Sequence, residues 1–149
     1  MRNLETNKIS YNVYTYDADG DFDGCSVAKK IGKDENQVFK TLVTVAPSKK
    51  NYVFVIPVLH ELDLKACAAS VGEKSVEMIP VKDINKVTGY IRGGCSPIGM
   101  KKQYITVLDE SAMNFDTIIF SAGKIGYQVE VSPKELVSLI GAKVCKIVR

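Results

Sequence analysis

Apolar and polar residues alternate along Ile9-Ser-Tyr-Asn-Val-Tyr-Thr-Tyr16, a run rich in aromatic and β-branched types, and this period of two predicts a half-buried strand over 9–16. The acidic stretch Asp17-Ala-Asp-Gly-Asp-Phe-Asp-Gly24 follows. Counted from Asp19, with Gly24 at position six, Lys30 stands where a calcium loop needs its glutamate, so the segment reads as a solvated loop. Residues 26–31 form a short helix stopped by Gly32, and the runs 38–45 and 52–58 flank the turn Pro47-Ser-Lys-Lys-Asn51 as a hairpin. Asp63 is placed to cap a helix over 64–71 that Gly72 ends; 75–79 reads as a short strand and 80–87 as a second short helix. Farther on, 104–108 and 117–120 read as strands, 121–126 as a turn and 127–131 as the returning strand of a second hairpin. Ser132-Pro-Lys-Glu135 is a capping box with proline at the first helical position; it starts a helix over 133–140 that Gly141 terminates, and 143–148 closes as a strand.

Strands and helices are thus intermixed, with no repeat, linker or low-complexity tract, which predicts a single α+β domain over 1–149. A chain of this size buries about 68–70% of its unfolded surface without metal or disulfide support. No apolar run approaches the roughly 18 residues of a membrane span. The first residues lack an apolar export segment, so a cytoplasmic location without membrane association is expected. Cys25, Cys67, Cys95 and Cys145 are spaced as neither a zinc pattern nor a redox pair and read as reduced thiols, and no metal is expected. The net charge of +3 is far from what holds nucleic acid by electrostatics alone. The excess lies in the second half: residues 82–149 carry ten basic and six acidic side chains, residues 1–81 ten and eleven.

That basic half contains the densest chemical signal, Gly89-Tyr-Ile-Arg-Gly-Gly-Cys-Ser-Pro-Ile-Gly-Met-Lys-Lys102. Glycine lets main-chain N–H groups approach a ligand and converge on one oxygen, as carbonyl or phosphate recognition requires. A second cluster, Ser121-Ala-Gly-Lys-Ile-Gly126, follows an apolar run, and Val38-Phe-Lys-Thr-Leu-Val43 sets one lysine inside a strand. A nucleophile is not announced. The one histidine, His60, sits at a strand-to-helix junction and reads as a surface residue, no Gly-x-Ser-x-Gly elbow is present, and Cys67 falls on the apolar side of its helix.

Together, the Gly-Gly-Cys-Ser-Pro-Ile-Gly loop, Ser121–Gly126 and Phe39-Lys-Thr-Leu42 resemble the YbaK/EbsC family of aminoacyl-tRNA deacylases, free-standing relatives of the editing domain of bacterial prolyl-tRNA synthetases. The resemblance runs from about residue 8 to 148. It implies a mixed, strongly curved or partly barrel-like sheet flanked by short helices. It also implies an aminoacylated tRNA substrate, chiefly cysteine mischarged on tRNA for proline, whose own thiol attacks the ester carbonyl with no cofactor. Lys40 matches the lysine the family requires, where a cation holds the terminal phosphate or polarises the ester carbonyl. Gly93 and Gly94 are the expected carbonyl donors, Ser96 and Pro97 fix the turn, and Gly99 permits the return. Tyr16, Thr41, Ser121, Gly123 and Gln128 are expected around the substrate, and Lys101, Lys102 and Lys124 on acceptor-stem phosphates. Prolyl-tRNA synthetase is a further expected partner.

The chain departs from the family pattern at Cys95, where isoleucine is common, Ala122 (glycine), Ile125 (arginine) and Gln128 (aspartate). The last two weaken the transfer of tRNA contacts and amino-acid selectivity. Two other functions remain compatible with the residues: water-dependent release of alanine or another small amino acid, and a non-catalytic module that binds tRNA or a synthetase.

Overall fold

The computed structural model describes residues 9–17, 24–91 and 94–149. Most of the acidic loop, together with Arg92 and Gly93, lies outside the described residues. The elements run β1 (Tyr11–Thr15), α1 (Gly24–Lys30), β2 (Phe39–Val45), β3 (Asn51–Pro57), α2 (Leu64–Val71), β4 (Glu77–Met78), α3 (Ile84–Thr88), β5 (Ile105–Asp109), β6 (Ile118–Ser121), β7 (Tyr127–Val131), α4 (Pro133–Ile140) and β8 (Lys143–Cys145).

Local chemistry sets most of these bounds. The Asp63 carboxylate accepts from Lys65 N and Ala66 N at the start of α2, and Gly72 closes that helix at φ 72°. Ser132 Oγ accepts from Glu135 N, Pro133 occupies the first turn of α4, and Gly141 ends it at φ 64°. Expected segments that shrink do so where another group claims their main chain. The 80–87 helix divides into a 3₁₀ turn, Val81–Asp83, and α3, because Asp83 N–H bonds to Pro80 O at 2.9 Å. The last strand stops at Cys145: Ile147 N–H turns to the Asp109 carboxylate at 3.0 Å, and Ile147 O accepts from Asp63 N–H at 2.8 Å.

The expected α+β class is what forms, but its strands divide between two sheets. A mixed sheet has the order β4-β2-β3-β5-β8, with β3-β5 and β5-β8 parallel and the other pairs antiparallel. An antiparallel sheet, β1-β7-β6, is built from the β6–β7 hairpin, which lies in the long connection between β5 and β8, and from β1 at the start of the described chain. The two meet at a parallel bridge, Val38 to Ile119, and do not close into a barrel. Alternation assigns the faces. Phe39, Val43, Val53, Val55 and Leu108 of the mixed sheet join Ile118, Phe120, Val129 and Val131 of the other in the main core. Phe54 and Ile56, on the opposite face, pack with Cys67 and Ala68 of α2 and with Ile147.

A buried carboxylate reinforces the seam. Glu130, 8% exposed, accepts from Tyr14 Oη at 2.6 Å, Thr117 Oγ1 at 2.5 Å, Gln37 Nε2 at 3.2 Å and Asn12 Nδ2 at 3.4 Å. It thereby ties β1 and β7 to the segments that enter β6 and β2. Burial alone pushes this carboxyl up, but hydrogen bonds from Thr117, Tyr14 and Asn12, with Lys33 nearby, outweigh it and hold it below the usual range. The sign follows: the contribution is present above the unfolded carboxyl value of about 4.3 and is lost as pH falls through the lower folded value. Glu130→Gln is therefore expected to lower the melting temperature at neutral pH and to flatten its fall on acidification. A melting-temperature profile in acid identical to that of the wild type would refute this role.

Candidate active site

Register along the seam brings the predicted residues together. The isolated parallel bridge Val38–Ile119 sets β2 beside β6, with Lys40 and Ser121 each two residues beyond it on the same faces as the bridged pair. Ser121 is paired with Gln128, and Gln128 with Tyr14 of β1, so Tyr16 lies one step beyond Tyr14 on the same face. Val38, Tyr14 and Ile119 share one apolar cluster, which fixes that face for all three chain segments. Lys40 is half-buried, and Ser121 and Gln128 are 9% and 5% exposed. Ser121 Oγ accepts from Gly123 N at 3.2 Å, and Tyr16 N–H bonds to Gly126 O at 3.0 Å, locking the end of β1 to the hairpin turn. Lys30 Nζ lies 6.0 Å from the Tyr16 ring centroid.

The two glycine segments are in contact. Gly123 has φ +102°, and a Cβ there would meet Tyr90 Cε1 at 3.0 Å; a Cβ on Gly94 would meet the Ile125 main-chain N at 3.4 Å. Tyr90 Oη donates to Ile98 O at 2.5 Å, and Tyr90 N to Thr88 Oγ1 at 3.0 Å, so this ring anchors the loop from both ends. Ser96 is fully buried, its Oγ accepting from Ile98 N at 3.3 Å, and Pro97 is buried beside it. Gly99, at φ 78°, makes the return, and Lys101 N–H bonds to Thr88 O at 3.0 Å. These positions behave as the framework of the loop.

The other predicted residues are distributed as follows. Gly94 N–H donates to Ile91 O at 2.9 Å, so it already has a main-chain partner. Gly93 lies outside the described residues. Thr41 is separated from Lys40, because adjacent strand residues point to opposite faces; its Oγ1 is buried and without a hydrogen-bond partner on the main-core side. Lys101, Lys102 and Lys124 are exposed, with Lys102 Nζ 5.8 Å from the Tyr104 ring centroid and Lys124 Nζ 5.3 Å from that of Tyr127.

No thiol is poised as a nucleophile among the described cysteines for which a shift is resolved. Burial pushes Cys67 up to about 12, with Asp63 and Asp109 adding to it, and burial also raises Cys95, whose Sγ faces Ile91 O at 3.7 Å. His60 is exposed and lines a depression with Asp109, Glu110 and Lys146, apart from the predicted residues. Among the described residues no cluster of His, Cys, Asp or Glu could hold a metal ion, and no helix is long and apolar enough to cross a membrane. The sequence reading missed Tyr90 and Glu130. Tyr90 meets Gly123 of the other glycine segment and Glu130 meets Tyr14, 116 residues away, and only the preference of a buried carboxylate for donors marks Glu130 in advance.

A half-buried lysine, a serine and a glutamine thus lie on one face of the seam near two interlocked glycine turns, an arrangement of polar groups suited to a polar ligand. The aminoacyl-tRNA editing domain model matches residues 25–139, and the chain belongs to that family. It is 46% identical over 148 residues, 99% of this chain and 90% of the relative, to the Enterococcus faecalis protein named "Putative Cys-tRNA(Pro)/Cys-tRNA(Cys) deacylase EbsC". Two solved structures share the fold. One, described as "a putative trans-editing enzyme for prolyl tRNA synthetase", has TM-score 0.82 and 24% identity, covering 99% of this chain and 93% of that one. The other, solved as a hypothetical protein, has TM-score 0.90 and 21% identity, covering 98% and 96%.

The contact between the loops is testable. Gly123→Ala combines a left-handed main chain with a clash against Tyr90 and is expected to cost about 1–2 kcal/mol. The urea midpoint should fall accordingly; an unchanged midpoint would mean that the turn does not depend on this glycine.

Proposed function

We propose that the protein is a trans-editing deacylase that removes cysteine from cysteinyl-tRNA for proline, with the substrate thiol as nucleophile. The observation that carries the reading is the convergence of Lys40, Tyr16, Ser121 and Gln128 on one face of the seam, with no activated nucleophile among them. The name of the Enterococcus faecalis relative supports the same substrate class.

In this reaction the thiol sulfur bonds to the ester carbonyl carbon and the carbon–oxygen bond to the ribose breaks. The thiol proton passes to the departing ribose oxygen. The product is a four-membered cysteine thiolactone, which water then opens. Holding thiol and carbonyl in attack geometry supplies on the order of 7–11 kcal/mol by effective molarity, so the protein needs to orient the ester, stabilise developing charge and admit only small acyl groups. Lys40 neutralises the phosphate or carbonyl charge, and Gln128 accepts from the ammonium through its carbonyl oxygen. Lys101, Lys102 and Lys124 engage acceptor-stem phosphates, a contribution that weakens with salt. Alanine and proline are rejected by chemistry, because neither carries a nucleophilic side chain. Prolyl-tRNA synthetase is the expected source of the mischarged tRNA, and the reaction takes place in the cytoplasm within one domain.

Single-turnover deacylation of cysteinyl- and alanyl-tRNA for proline, with product identification, tests this. The wild type is expected to release cysteine alone, and Lys40→Ala to slow release by about 100-fold or more. Equal release of alanine would replace the thiol with water, and release of neither would leave a binding role.

A further inference from the structure

The geometry points to the open edge of β2 at Thr41 as the docking line for the aminoacyl group, which its main chain grips as a neighbouring strand residue would. The inference deepens the proposed function and rests on it.

Ladder bonds in an antiparallel pair alternate between the two edges of a strand. Val58 N–H donates to Val38 O at 2.9 Å, and Ala46 N–H to Lys50 O at 3.0 Å, so even-numbered residues of β2 turn their main chain toward β3. Odd-numbered residues face outward, as Val43 O does in accepting from Ile79 N–H at 3.2 Å. On that outer edge β4 pairs with Thr44 and Val45, and β6 reaches the chain at Val38. Thr41 falls between them. Its N–H and C=O point into the gap, where no described strand pairs with them.

A second, independent observation marks the same residue. Thr41 Oγ1 is the one buried side-chain polar atom without a partner among the described residues. Its face-mates Phe39 and Val43 are 2% and 4% exposed, whereas Thr41 is half-buried. An unpaired strand edge beside an unpartnered hydroxyl is an arrangement that natural sheets avoid unless something covers it.

The substrate has the complementary groups. An α-aminoacyl ester carries one ammonium and one carbonyl on either side of a single Cα, the pair that one residue exchanges with its neighbour in a ladder. Thr41 N–H donates to the ester carbonyl oxygen, and the ammonium donates to Thr41 O. Negative charge grows on that carbonyl oxygen during attack, so Thr41 N–H takes the stabilising part that the sequence assigned to Gly94, whose N–H bonds to Ile91 O. The contact reads the main-chain-like part of the substrate and leaves side-chain choice to the thiol and the pocket.

The test replaces the Thr41 amide with an ester, by incorporating the α-hydroxy analogue of threonine, and compares it with Thr41→Pro. Both remove the N–H, and proline is tolerated on a strand edge because no ladder bond is lost. With native circular dichroism retained, single-turnover release of cysteine is expected to fall about 100-fold in both. The same ester at Leu42, which weakens a bond to β3, should lower stability without that loss. A 3-mercaptopropionyl ester on the tRNA, which keeps the thiol but lacks the ammonium, should be cleaved more slowly by the wild type. Wild-type rates in the folded Thr41 variants would overturn the inference and leave the proposed function standing. If the wild type releases no amino acid, the proposed function fails. Titration of ¹⁵N-labelled protein with 3′-cysteinylamino-3′-deoxyadenosine then decides the inference: a shift of the Thr41 amide resonance supports it, and no shift overturns it.

Discussion

The rest of the structure depends on how β2 divides its outer edge between two partners. At Val38 it meets Ile119 of the antiparallel sheet; at Thr44 and Val45 it pairs with β4 of its own. A strand cannot be paired to both at the same level, so the sheets part along its middle. The main core fills one side of the parting with Phe120, Val129 and Ile98, and on the other the Glu130 carboxylate gathers four donors from three chain segments. The candidate site occupies the gap that remains.

This arrangement explains how the described parts of the glycine segments are held. Left alone, glycine-rich chain has many conformations, and ordering them costs entropy. Tyr90 offsets that cost by inserting between the loops, its ring over Gly123 and its hydroxyl on Ile98 O. Ser96 and Pro97 are buried at the base, and Tyr104 Oη donates to Val87 O at 2.8 Å across the mouth. Loop and hairpin therefore brace one another, and a Cβ on Gly123, 3.0 Å from Tyr90 Cε1, would push them apart.

Much of this was legible in the chain. The caps at Asp63 and Ser132, the stops at Gly72 and Gly141, both hairpins and the buried Cys67 follow from local rules, because the interactions concerned span a few residues. Lys40, Ser121 and Gln128 were also marked, by a resemblance that covers most of the chain and to which the editing-domain match over 25–139 corresponds. The division into two sheets was not legible, nor was the parallel pairing of β3 with β5, since apolar runs state that a strand is buried but not beside what. The engagement of Gly94 N–H was hidden for the same reason: glycine announces freedom, and only the surrounding loop decides where its N–H points.

By itself, then, the sequence determined the elements, their ends and the types of side chain available for chemistry, because capping, turn formation and periodicity are settled by near neighbours. Tertiary structure decided which of those side chains share a site. Lys40 and Thr41 are adjacent in sequence yet lie on opposite faces, while Tyr14 and Glu130, 116 residues apart, share a hydrogen bond. Strand pairing places residues by register across the sheet, and register is fixed by the burial of whole faces, a property of the packed molecule that no short segment carries.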